Sequence, residues 1–169
     1  MMLERDMRPA VIDWCYEQGY SPVCEVLVWS HNADIVAARF AQRTSRKIPE
    51  LIGLIGIELK LSDVSGVLWQ CNQLKKQTNV VYAAMPIERI GKFAPKTFNK
   101  FKSTGVGLLS VTTAGKVNIE IPHYAENIQP NEWQRVTLKH KLWRRIQKGD
   151  THVRTKCTCR ECNHLKVTM

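Results

Sequence analysis

Hydrophobic positions in this chain follow two periods in turn. Leu3, Met7, Val11 and the Trp14-Cys15 pair recur every three to four residues, with Glu4, Arg8, Asp13 and Glu17 mostly between them. That spacing predicts an amphipathic helix within 3–18. Pro9 has no amide hydrogen and suits a first turn, so the helix is expected to start near it and to stop at Gly19. The stretches 23–29 and 33–40 are rich in Val, Ile, Ala and aromatic residues and flank turn chemistry at 30–32, which reads as a hairpin. A polar, basic loop fills 41–50. A third strand is expected over 51–61, where Gly53 and Gly56 permit close backbone approach or a bulge.

Ser62 or Asp63 then caps a helix running to about Thr78, with Val64, Val67, Leu68, Cys71 and Leu74 on its core face. The run 79–86 is almost wholly apolar and predicts a buried central strand. A short amphipathic segment over 87–101 precedes two more strands, 105–112 and 116–121, joined by the turn Thr113-Ala114-Gly115. A basic helix is expected near 133–147. The first three strands make an antiparallel meander, and the crossover helix delivers the fourth strand parallel to the third. The expected class is an α/β sandwich around a mixed sheet.

Composition narrows the function. The 169 residues, 44% of them hydrophobic, suit one domain with a real core. No apolar run is long enough for a transmembrane helix, and the charged start MMLERDMRP lacks the apolar stretch of a signal peptide. These features lead us to expect an intracellular protein, cytoplasmic or nucleoid-associated, with no membrane partner. Its six cysteines are then expected as thiols or metal ligands. The net charge of +10 is concentrated near the end: from Trp133 onward ten Lys and Arg face only Asp150 and Glu161. A near-neutral body with a basic end suits a polyanion, nucleic acid above all; the plain alternative is a soluble basic surface.

The candidate chemistry centres on IGIELKLSD. On the third strand Glu58 and Lys60 lie two apart and share a face, while Ile55, Ile57, Leu59 and Leu61 take the other. An acid and an amine so placed fit two readings, a solvated strand face or a metal ligand beside a catalytic cation. P-loop, dinucleotide, nucleophile-elbow and zinc-protease motifs are all absent. Cys15, Cys24 and Cys71 fall on or near apolar faces and read as buried structural residues.

In element order and in the spacing of these residues the chain resembles the PD-(D/E)XK nuclease superfamily, with its restriction-endonuclease-like α/β/α sandwich. The resemblance covers about 3–121. It rests on Asp34 opening the second strand in ADIV, on Glu58-Leu59-Lys60 in the third, on Gln70 in the next helix, and on the strand VVYAAMP. The late hairpin GVGLLSVTTAGKV agrees with it. The first motif reads Ala33-Asp34, without the proline of the family name. The resemblance implies a Mg²⁺- or Mn²⁺-dependent nuclease acting on DNA. Asp34, Glu58 and the Leu59 carbonyl would hold the metal, Lys60 would assist the attacking water, and Gln70 would position water or phosphate. Glu4 and Glu25 are further acidic candidates by the same resemblance. The cations Arg39, Arg43, Arg46 and Lys47, with Arg144, Arg145, Arg154, Lys156 and Arg160 near the end, are candidates for nucleic-acid contacts. A homodimer or a larger nucleoprotein complex fits such a role. A non-catalytic binder that keeps the fold, an RNA nuclease and a branched-DNA resolvase stay open.

Two parts are expected, a core over 1–132 and a basic helix with a tail over 133–169. The tail carries Cys157, Cys159, Cys162 and His164, with His152 upstream: soft ligands suited to Zn²⁺. A loose thiol-bearing arm or an iron–sulfur cluster are the alternatives there.

Overall fold

Three early strands form, as the periodicity requires, and the helices divide unequally over the two faces of the sheet they begin. The computed structural model describes residues 2–28, 31–42, 48–124 and 132–149. Its elements run α1 (Glu4–Glu17), β1 (Ser21–Val28), β2 (His31–Phe40), β3 (Leu51–Leu59), α2 (Val64–Leu74), β4 (Val80–Pro86), α3 (Ile87–Ile90), α4 (Pro95–Thr104), β5 (Gly107–Val111), β6 (Val117–Ile121) and α5 (Glu132–Gln147). The six strands form one sheet in chain order. β1, β2 and β3 pair antiparallel, β3, β4 and β5 pair parallel, and β6 returns antiparallel on β5.

Alternation sorts the core into two layers. Ile35, Ala37, Ile55, Ile57, Leu59 and Ala84 pack under Met7, Val11, Trp14 and Cys15 of α1. Val36, Ala38, Leu54, Val81, Ala83 and Met85 face Val67, Cys71 and Leu74 of α2, Phe101 of α4, and Leu138 and Leu142 of α5. The result is a mixed sheet with one helix on one face and four on the other. Gly56 sets the distance of α2: a Cβ there would come within 2.9 Å of Leu74 Cδ1. The close approach expected at this glycine is therefore real.

β3 ends at Leu59 and α2 at Leu74, short of the expected 61 and Thr78, and two further expectations fail locally. α1 begins at Glu4, so Pro9 lies inside the helix rather than in its first turn. The start is fixed upstream, where the Asp6 carboxylate accepts from Leu3 N–H at 2.7 Å, and the proline removes one backbone bond further along. The turn assigned to 30–32 is shorter, because His31 and Asn32 already pair with Val28 and Leu27. The cap of α2 is Asp63, whose Oδ1 accepts from Gly66 N–H at 2.8 Å.

β1 is an edge strand, and α5 lies against it. Lys141 Nζ donates to the Leu27 carbonyl at 2.9 Å, and Arg145 Nη1 to the Glu25 carbonyl at 3.3 Å.

Candidate active site

The alternation of β1 and β2 slips at a single rung. Val23 and Val26 are three apart yet face the same core, as do Ala33 and Val36. Cys24 and Ile35, which pair between them, face the other. Glu25 sits at this slip with φ +49°, and among the described non-glycine residues it alone has positive φ. Such a backbone is unfavourable for an L-residue and is held by its surroundings. Arg8 of α1 reaches in, with Nη1 3.2 Å from Glu25 Oε1 and Nη2 4.0 Å from Asp34 Oδ1. Arg145 holds the Glu25 carbonyl from the other side. The slip leaves Asp34 outside the regular alternation, and its Oδ2 accepts the Leu59 N–H at 2.8 Å. An aspartate side chain thus engages the end of β3.

Glu58 precedes that amide. It pairs with Ala83 across β3 and β4, on the face towards α2, and is completely buried. A solvated strand face is thereby ruled out for it. Burial, reinforced by the neighbouring Asp34 carboxylate, pushes its carboxyl up to about 9, while Lys60 pulls in the opposite direction. Glu58 Oε1 lies 3.2 Å from His31 Nε2, and Oε2 is buried with no protein partner. Two carboxyl groups side by side, one sealed from water, need a proton or a cation with them.

Lys60 follows β3 and is about a quarter exposed; its Nζ stands 3.7 Å from Glu4 Oε1. Gln70, on α2, buries an Oε1 that also lacks a protein partner. His31 is mostly buried, its ring 6.3 Å from that of the exposed Trp69, and burial depresses its basicity. The structure therefore gathers Asp34, Glu58 and Lys60 at the carboxyl end of β3. It adds Glu4 and, through Arg8, Glu25. It also adds Arg8 and His31, which the sequence reading passed over. His31 was hidden because it was assigned to a turn.

Carboxyl ends of parallel strands are where ligands commonly bind in sheets of this kind. The donor set suits a hard divalent cation: the adjacent carboxyl groups of Asp34 and Glu58, with the buried Gln70 amide oxygen on the next helix. Among the described residues no three His, Cys, Asp or Glu side chains converge on one point as they stand. Backbone carbonyls and waters would complete the shell.

The predicted nucleic-acid contacts fare differently. Arg39 is on β2, not in a loop, five residues beyond Asp34. Its guanidinium bonds the Gln18 and Gly19 carbonyls and lies 4.3 Å over the Tyr20 ring. It closes the end of α1, because that helix leaves carbonyls open there. Arg144 and Arg145, with Val136, Thr137, His140 and Lys141, line a shallow groove of about 510 Å³ along α5. Arg43, Arg46, Lys47, Arg154, Lys156 and Arg160 lie outside the described residues, as do Cys157, Cys159, Cys162, His164 and His152. Cys15, Cys24 and Cys71 are free and buried, as expected; burial pushes the first two thiols up to about 12 and about 11.

No family model matches the chain, and no curated protein matches it. A solved structure does: a protein of unknown function from Silicibacter pomeroyi, 14% identical, with a TM-score of 0.55. The match covers 92% of this chain and 99% of that one. The likeness is one of fold. No described helix is long and apolar enough to cross a membrane.

Proposed function

We propose that this protein is a metal-dependent nuclease that hydrolyses phosphodiester bonds of DNA on a restriction-endonuclease-like fold. The observation that carries the reading is Glu58: fully buried, beside Asp34, with an oxygen that no protein group satisfies. A buried acid with one oxygen lacking a hydrogen-bond donor is costly, and such groups cluster where a ligand is bound.

The residues divide the work as follows. Asp34, Glu58 and the Leu59 carbonyl would hold Mg²⁺ or Mn²⁺, which supplies charge neutralisation and a water of lowered pKa. Asp34 also fixes the Leu59 amide, and so the orientation of the end of β3. Lys60, which pairs with Glu4, would offset charge developing on the phosphate. Gln70 offers an amide oxygen to position a water. The cations of α5 offer contacts to the sugar-phosphate backbone, which set register without reading sequence.

The test is incubation of linear, circular, single-stranded and branched DNA, and of RNA, with Mn²⁺ and with EDTA. Cleavage is expected with Mn²⁺ only. It should fall by about 10²–10³ in the Glu58→Ala and Lys60→Ala proteins, the usual cost of removing one transition-state electrostatic group. Full activity in Glu58→Ala ends this reading. Salt-sensitive DNA binding with no cleavage by any metal would favour a non-catalytic binder.

A further inference from the structure

His31 has no part in the mechanism above, yet it touches the most unusual group in the molecule. Its Nε2 lies 3.2 Å from Glu58 Oε1. Its Nδ1 is buried with no protein partner. The imidazole enters at the first residue of β2, three before Asp34, and stands against Trp69 of α2, the residue before Gln70. The site thus contains a ring nitrogen facing the orphan carboxyl.

A hydrogen bond explains 3.2 Å, and a shared ion explains it equally well. Two donors held at about 2.1 Å from one ion, at right angles, lie about 3.0 Å apart; tetrahedral angles widen this to about 3.4 Å. The observed separation falls between these limits. The hydrogen bond to His31 engages Glu58 Oε1 and leaves Oε2 without a donor. An ion seated on His31 Nε2 and Glu58 accounts for the separation, and a carboxylate that bound it through both oxygens would engage Oε2 as well.

Ligand chemistry then sets the choice of ion. Carboxylate, carbonyl and water donors suit Mg²⁺, whereas an imidazole nitrogen favours transition dications. We propose that His31 Nε2 is a nitrogen ligand of the cation held by Glu58, and that it makes the site selective for Mn²⁺ and related transition dications over Mg²⁺. The proposal rests on the metal-dependent reading of this site and deepens it by naming the class of cofactor. In this arrangement His31 adds a nitrogen to the Asp34 and Glu58 carboxyl groups that would hold the ion.

The experiment is binding of Mn²⁺ to the full-length, chelator-treated protein, followed by electron spin echo spectroscopy and by calorimetric titration against Mg²⁺, without DNA. Wild type is expected to show coupling of Mn²⁺ to a directly bound nitrogen and to bind Mn²⁺ at least tenfold tighter than Mg²⁺. The His31→Ala protein should lose the nitrogen coupling. Its Mn²⁺ affinity should drop by at least the 10–100-fold that even outer partners of a ligand cost, while weak Mg²⁺ binding through oxygens remains. A protein with His152→Ala and His164→Ala should keep the coupling, which separates His31 from the histidines of the tail. Mn²⁺ bound in wild type with an all-oxygen environment overturns the role of His31 and leaves the nuclease reading standing. Failure of wild type to bind any dication at Glu58, judged against Glu58→Gln, overturns both.

Discussion

The two ends of β2 each meet α1 through an arginine, and they are built to opposite purposes. Near Phe40, Arg39 bonds the carbonyls that the end of α1 leaves open and stacks on Tyr20. At the other end, Arg8 reaches from α1 to Glu25 and Asp34, yet its own Nε stays unpartnered. Five buried side-chain polar atoms among the described residues lack a partner. Three of them, on Arg8, His31 and Glu58, belong to this second end, and Gln70 follows Trp69, whose ring stands near His31. Each such atom costs about 1–3 kcal/mol when left unmet. One end of the strand is closed by satisfied hydrogen bonds, and the other leaves buried polar atoms without partners.

The largest effect that would test this contrast is on stability against pH in the metal-free protein. The Glu58 carboxyl is raised from 4.5 to about 9 in the folded state. Between those values the folded state holds a proton that the unfolded chain has lost, so stability falls as pH rises from about 4.5 and levels off above about 9. The loss is on the order of several kcal/mol. His31 is shifted downward and contributes the opposite slope, rising with pH through its ordinary range. Comparing urea midpoints of wild type and Glu58→Gln at pH 5.5 and 8.5 isolates the glutamate. Glu58→Gln should be the more stable protein at pH 8.5, and equal slopes in the two proteins would remove the contrast.

A smaller effect separates the two arginines. Arg8→Ala and Arg39→Ala should each cost about 1–2 kcal/mol, from lost ion pairs or charged hydrogen bonds. Saturating Mn²⁺ should restore much of the loss in Arg8→Ala, because a bound cation supplies the charge that the site then lacks. It should restore no more in Arg39→Ala than in wild type. Thermal melts with and without Mn²⁺ read the difference. The smallest effect serves as a reference far from either arginine. Asp63→Ala removes the cap of α2 and should cost about 1 kcal/mol in chemical denaturation, with the pH slope unchanged.

Much of this architecture was legible in the sequence because burial imposes periods. The near-continuous apolar run of β4 marked a central strand, and the core face of α2 stood out at helical spacing. Glu58 and Lys60 were legible as a pair because they interrupt an apolar strand. The environment of Glu58 was not, since a period-2 pattern names a face and not what covers it. The slip at Glu25 and Asp34 was also invisible: it shows only as Val23 and Val26 facing one core, a spacing that also occurs in helices. His31 was lost to turn chemistry, because its neighbours Ser30 and Asn32 are turn formers. Arg8 falls off the apolar stripe of α1, and only the packing of α1 over β1 and β2 turns it towards Glu25 and Asp34. Pro9 misled because a helix tolerates one missing bond when its start is fixed elsewhere.

The contact of α5 with β1 also has a consequence in time. β1 is the first strand to be made, and its outer carbonyls meet Lys141 and Arg145 only when α5 arrives. Leu27 and Lys141 are 114 residues apart. At the usual pace of synthesis that interval lasts roughly 6–23 s. Throughout it a nascent sheet would carry an open edge, which is a template for pairing with another chain. Pro22 blunts that edge at its beginning, since it offers no donor. The rest of the edge waits for α5, so the basic helix made last closes the strand of this sheet made first.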